Sequence, residues 1–349
     1  MTDALTLPYA ATEAKAPAKR IPVAVLGATG SVGQRFVQLL EGHPWFKLHE
    51  VVASERSAGK SFGEAADWRL DTILPSDAAA LPVKELGADL DSRLVFSGLD
   101  SSVAGEAEDD YANRGCVVVS NSRNHRMDAD VPLLIPEINA DHIAAIERQK
   151  KRRSGYIVTN PNCSVIGLAM AIAPIERLYG IESIHVTTMQ AISGAGYAGV
   201  ASYAILDNVI PYIGGGEEQK IESEPRKILG RWENDRFVDA PFRVSAQVNR
   251  VPTIDGHLMT ISIGLRNRNS VNLDQVREAI DNFRGEPQNL RLPSAPRKPL
   301  HYVDGDDRPQ PRLDRDRERG MSVSIGRLRP CPLLDLRMVA LVHNTIRGA

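Results

Sequence analysis

Ile21-Pro22-Val23-Ala24-Val25-Leu26-Gly27-Ala28-Thr29-Gly30-Ser31-Val32-Gly33 is the stretch that decides the fold class. Its first six residues form a continuous apolar run, as expected of a strand buried on both faces of a parallel sheet. From Ser31 to Leu40 apolar residues recur at helical spacing. Gly27, Gly30 and Gly33 therefore lie in a loop that ends a strand and opens a helix. Three glycines so spaced allow a tight turn, close approach of a pyrophosphate and close helix–strand packing. Alone the triplet is a weak signal; between strand and helix it predicts a dinucleotide-binding unit, with Thr29, Ser31 and Val32 completing the loop.

Outward from this unit, strands are expected at Phe46 to Val52, Arg93 to Phe96, Cys116 to Val119 and Tyr156 to Val158. Helices are expected from Val103 to Asn113 and from Ala140 to Lys151. The alternation predicts a parallel, doubly wound sheet. After the second strand such a fold holds the adenosine ribose. Glu55 there leaves NAD open, whereas Ser54, Arg56, Ser57 and Lys60 suit a 2′-phosphate and favour NADP. Ser97-Gly98, at a later strand end, fits a cofactor contact for the same topological reason. The basic run Lys150-Lys151-Arg152-Arg153 reads as a solvated helix end.

Cys163 follows Thr159-Asn160-Pro161-Asn162, where a strand gives way to the apolar helical pattern of Val165 to Leu178. A lone cysteine commonly serves as a small buried hydrophobe. At a helix N-terminus, unpaired N–H groups and the helix dipole favour an anion and lower a thiol pKa from about 8.5. Beyond this helix, Ile184 to Met189 and Leu258 to Ile263 alternate like strands with one covered face, and long loops separate them. This predicts a mixed α+β second domain, with further strands at Met321 to Ile325 and Asp335 to Val342 and a loop excursion from Arg291 to Gly320.

A chain of 349 residues has room for two domains, and 42% hydrophobic with 25% charged residues is ordinary for a soluble globular protein. A net charge of -2 supports neither a nucleic-acid surface nor a polybasic membrane anchor. Cys116, Cys163 and Cys331 are scattered, which suits a reducing, cytoplasmic setting and gives no metal-ligand spacing. No apolar run approaches the ~20 residues of a membrane span. Residues 1–19, rich in Ala, Thr and Pro, read as a disordered arm.

Taken together, the motifs resemble aspartate-β-semialdehyde dehydrogenase of the archaeal and fungal type. The similarity runs from about Arg20 to the last residue. It rests on Gly27–Gly33, Ser120-Asn121 through Arg126-Met127, Pro161-Asn162-Cys163, Gln190 with Ser193-Gly194-Ala195-Gly196, Glu217-Glu218-Gln219-Lys220, and Arg250 through Gly256-His257. The resemblance implies a Rossmann-type doubly wound nucleotide domain (20–162, with 343–349 returning to it) and an α+β catalytic and dimerisation domain (163–342). It implies NADPH-dependent reduction of aspartyl phosphate through a Cys163 acyl-enzyme, with His257 as acid/base at its ordinary pKa near 6.5. Asn162 and Gln190 would orient the thiol and substrate. Arg250 would pair with the α-carboxylate, Glu218 with the amino group, and Arg126 and Lys220 with phosphate, Asn121 standing beside them. Ser193, Gly194 and Asn344 would approach the cofactor, and the protein would be a homodimer or homotetramer.

Chains of that family usually continue past Arg347-Gly348-Ala349 into a Gly/Ala-rich helix that this sequence does not contain. Malonyl-CoA reductase shares the fold, but it needs no receptor for an amino group, so Glu218 with Arg250 argues against it. A catalytically silent nucleotide-binding module would have no use for Cys163 and His257 together.

Overall fold

The computed structural model describes residues 14–197, 199–268 and 271–348; most of the arm expected at 1–19 lies outside them. Six strands, β1 (Ile21–Leu26), β2 (Phe46–Ala53), β3 (Val83–Glu85), β4 (Leu94–Ser97), β5 (Val117–Ser120) and β6 (Tyr156–Thr159), form one parallel sheet. Their order, β3-β2-β1-β4-β5-β6, reverses direction between β1 and β4. Ligands bind in the crevice beyond the strand ends at such a reversal. The Gly27 loop and Gly98 flank it. Gly27 has φ +69°, and a Cβ there would meet the Gly98 carbonyl oxygen at 2.7 Å. A Cβ on Gly33 would meet the Gly27 carbonyl oxygen at 2.1 Å, so the first helix packs on its loop only with glycine there.

The second sheet is built from β7 (Ile181–Gln190), β8 (Ile210–Pro211), β11 (Arg243–Arg250), β12 (His257–Leu265), β13 (Leu300–Tyr302), β14 (Val323–Pro330) and β15 (Leu336–Val342). A hairpin of β9 (Arg231–Glu233) and β10 (Arg236–Val238) stands apart. The sheet order is β13-β14-β15-β12-β7-β11-β8. β7 and β11 run parallel, and β12 runs antiparallel to both β7 and β15. The helix Cys163–Tyr179 is buried almost all round, because Val165, Ile166, Leu168, Met170 and Ile172 leave it no polar face. It anchors a core with Ile184 and Val186 of β7, Val248 of β11, Ile261 of β12 and Met338 of β15. Among the described residues no helix is long and apolar enough to cross a membrane.

Two local expectations need correction. The single helix expected from Ala140 to Lys151 is a 3₁₀ turn, Ala140–Ala145, followed by a short α-helix, Ile146–Lys150. Asn139 explains the break: its side chain bonds the Ile135 amide, the Leu133 carbonyl and His142, which fixes the chain before the turn. The basic run is not wholly solvated either. Arg153 is buried, bonded to Asp109 and Gln149.

Candidate active site

Asn162 caps the Cys163–Tyr179 helix: its Oδ1 accepts from the amides of Ser164 (2.9 Å) and Val165 (3.2 Å). Cys163 is thus the first helical residue, facing the cleft. The second sheet meets it from the other side. Parallel pairing sets Arg250, the last residue of β11, beside Gln190, the last residue of β7. Antiparallel β12 starts at His257, with Leu258 opposite Met189. Three polar side chains from three strands therefore gather at one end of the sheet. His257 Nε2 lies 3.3 Å from Cys163 Sγ. The Ala191 amide donates to His257 Nδ1 at 3.0 Å, and Arg250 Nη1 donates to the Ala191 carbonyl at 2.6 Å. A Cβ on Gly194 would meet Arg250 Nη1 at 2.9 Å and His257 Cε1 at 3.1 Å, so only glycine leaves this approach open.

The helix Glu217–Ile228 closes the site, and here one expectation is overturned. Glu217, not Glu218, faces the thiol. Its Oε1 accepts from Asn162 Nδ2 (2.9 Å) and Gln190 Nε2 (3.2 Å), and its Oε2 from Lys220 Nζ (3.1 Å). Neighbouring helical positions point about 100° apart. Glu218 therefore turns away and accepts from the Val248 amide (3.3 Å). Arg126 reaches the same floor from the loop after β5. Its Nη1 donates to Glu224 (3.0 Å) and its Nη2 to the Asn121 carbonyl (2.8 Å), while the Asn121 side chain accepts from Asn160.

Electrostatics correct two further expectations. The helix N-terminus pulls the thiol pKa down but does not prevail in this site. Burial, followed by the Glu217 charge, pushes Cys163 up to about 12 against the pull of Arg126, the Ser164 amide and Arg250. Burial, aided by Arg250 and His343, pushes His257 down to about 3. The imidazole is neutral at neutral pH. Because Nδ1 accepts a backbone N–H, the ring proton resides on Nε2, pointing at sulfur.

From Cys163 a cleft of about 730 Å³ extends to the topological switch point. Gly27, Thr29, Gly30, Ser31, Val32, Ser54, Gly98, Ser193, Gly194 and Asn344 line it, as do Asn121, Arg126 and Asn162. Its size and glycine-lined cradle suit a dinucleotide. Other expected contacts fall elsewhere. Gly33 stands behind the loop as a packing residue. Ser97 is buried, donating to Glu108 (2.6 Å) beneath the sheet. Ser57 and the exposed Arg56 follow Ser54 but lie off the cleft wall. Asn344 bridges two loops, accepting from the Gly256 amide and donating to Ser193 Oγ, each at 2.8 Å.

Several residues escaped the sequence reading. Arg35 lines the cleft and donates to Thr345 (2.9 Å). Gly348 packs so tightly that a Cβ on it would sit 2.8 Å from Cys163 Cβ, with Arg347 held by buried Glu137 at 2.6 Å. Glu217, Glu224 and Lys227 join the expected Lys220 in a stripe on one helix face. Their 3-4-3 spacing was the available signal.

The description "Semialdehyde dehydrogenase, NAD binding domain" matches residues 22–146, and "Semialdehyde dehydrogenase, dimerisation domain" matches residues 172–347. The chain is 48% identical over 335 residues to aspartate-semialdehyde dehydrogenase of Methanothermobacter thermautotrophicus, covering 94% of this chain and 95% of that one. It is 45% identical over 342 residues to the Candida albicans protein of that name, covering 93% of each. The crystal structure of aspartate semialdehyde dehydrogenase with NADP from Candida albicans superposes with a TM-score of 0.87 at 42% identity, covering 95% of each chain.

Proposed function

The chain belongs to the aspartate-semialdehyde dehydrogenase family, and on that premise we propose how its residues perform the reaction: L-aspartyl-4-phosphate and NADPH give L-aspartate 4-semialdehyde, phosphate and NADP, a step of aspartate-family amino-acid biosynthesis (lysine, threonine, methionine). The carrying observation is the Cys163 Sγ to His257 Nε2 approach of 3.3 Å at the Cys163 end of the nucleotide cleft. NADPH, when bound by the Gly27–Ser31 loop, Ser54, Gly98, Ser193 and Gly194, supplies the hydride. The remaining chemistry belongs to the chain.

Cys163 attacks the acyl carbon and phosphate leaves, so a thioester forms on sulfur. Arg126 and Lys220 receive the phosphate, and Arg250 the α-carboxylate, for which a guanidinium fork is well matched. Glu217 receives the ammonium group. That pairing offsets the carboxylate charge that raises the thiol pKa, so substrate arrival itself promotes the thiolate, and the thiol proton departs on the leaving phosphate. His257 acts as an Nε2–H donor, first to the thiolate and then to the oxyanion of the tetrahedral intermediate. Asn162 and Gln190 hold Glu217 in place.

We further propose a cytoplasmic homodimer or homotetramer. His185, Gln247 and Thr260 alternate with buried neighbours and leave one face of the second sheet open, a face suited to a second copy. The domain division at residue 163 belongs to the same reading, with 20–162 as nucleotide domain, 163–342 as catalytic domain and 343–349 returning to the first. The test is NADP reduction with aspartate semialdehyde. Strict phosphate dependence supports the reaction. Phosphate-independent turnover, or none, contradicts it.

A further inference from the structure

We infer that Glu224 is a positioning residue that aligns Arg126 with Cys163, and that Lys227 latches the Arg126 loop to the same helix. The inference rests on the reading that Arg126 receives phosphate. Glu224 is 2% exposed, and its two carboxylate oxygens serve different parts of the site. One accepts from Arg126 Nη1 at 3.0 Å; the other accepts from the Asn162 amide at 2.7 Å. A single planar carboxylate thereby ties the guanidinium to the cap of the helix that begins with the nucleophile. One helical turn on, buried Lys227 donates to the carbonyls of Arg126, Asp128 and Val131, each at 2.8 Å, and its ammonium lies 4.3 Å from the Phe237 ring centroid. The loop is also tied to its own sheet at its start, by the Asn121 amide on the Ser97 carbonyl, and at its end, by the Thr159 amide on the Pro132 carbonyl; Lys227 holds the stretch between.

The geometry matters because the acyl phosphate must be held with its carbonyl carbon within reach of sulfur while its phosphate is bound, and small errors in placement are costly to rate. Neither Glu224 nor Lys227 lines the cleft, so each acts through Arg126. An amide at position 224 offers one oxygen and one NH₂ group. It cannot accept from both Arg126 and Asn162, and a donor would face a donor.

The test is a double-mutant cycle read in the oxidative direction, with phosphate and aspartate semialdehyde varied separately. E224Q should raise the KM for phosphate about tenfold, with a much smaller change for the aldehyde, as expected when a charge-assisted contact loosens. In an Arg126→Ala background E224Q should add no further phosphate loss, and Lys227→Met should likewise raise the KM for phosphate in the parent but not in the Arg126→Ala background. Should E224Q fail to fold, Glu224→Asp keeps the charge but is too short for both contacts, and it enters the same cycle. Equal effects on both substrates, or losses that add to that of Arg126→Ala, overturn the inference while leaving the functional reading intact. A parent enzyme without phosphate dependence overturns that reading, and the inference with it.

Discussion

The His257 imidazole is held between the Ala191 amide on Nδ1 and Cys163 sulfur 3.3 Å from Nε2, so its proton points at that sulfur. A ring in this setting is a neutral hydrogen-bond donor. It would have to lose the Ala191 contact before it could become imidazolium.

This makes pH behaviour a direct check. The folded pKa of about 3 lies below the ordinary value of 6.5. Between those values the unfolded chain binds the extra proton, so His257 lowers stability as pH falls from 6.5 toward 3. The melting temperature of His257→Gln should therefore drop less than that of the parent between pH 6.5 and 4. Nitrogen-15 NMR should find Nε2 protonated and Nδ1 bare from pH 5 to 8. Removing the donor in His257→Ala should lower turnover by about 10²–10³.

Glu217→Gln removes the charge that, after burial, most raises the thiol pKa. The pKa of Cys163 should fall, and iodoacetamide should alkylate it several-fold faster at pH 8 in the free enzyme. The same change should raise the KM for aspartate semialdehyde, because the ammonium loses its partner. Slower alkylation would mean that Glu217 supports the thiolate rather than opposing it.

Arg250→Lys should raise the KM for aspartate semialdehyde about 10- to 100-fold, since a point charge cannot both hold the Ala191 carbonyl and fork onto a carboxylate. Steady-state kinetics with phosphate saturating will check this. The KM for phosphate should stay near the parent value.

Two arginines should separate the parts of the cofactor. Arg35 lines the cleft beside the glycine loop, so Arg35→Ala should weaken NADP and NAD alike, by about tenfold in fluorescence titration. Arg56 is exposed two residues past Ser54 and off the cleft wall, so it would meet the cofactor only by turning its long side chain toward a 2′-phosphate beyond Ser54. Arg56→Ala should weaken NADP selectively.

Much of this was legible in the sequence because local rules coincided. The run 21–33 forces a strand, a tight turn and a helix in order, and the topology around it follows. Cys163 and His257 were legible from their motifs, although they meet only through the register of β7, β11 and β12. What the sequence withheld depends on rotation and burial. Glu217 and Glu218 are adjacent carboxylates, and only the start of their helix decides which one faces sulfur. The short strands β3, β8 and β13 carry too few residues for a period. The raised pKa of Cys163 and the lowered pKa of His257 arise chiefly from desolvation, which no linear motif encodes. Arg35, Gly348 and Lys227 gain their roles from contacts distant in sequence.

The central claim is that Cys163 carries the acyl group. Incubating the enzyme with aspartate semialdehyde and NADP while withholding phosphate should let the thioester accumulate, since its acceptor is missing. Intact mass followed by peptide mapping should place a single aspartyl adduct on the peptide that contains Cys163, and added phosphate should discharge it. An adduct on Cys116 or Cys331, or turnover with no adduct on Cys163, would contradict the account.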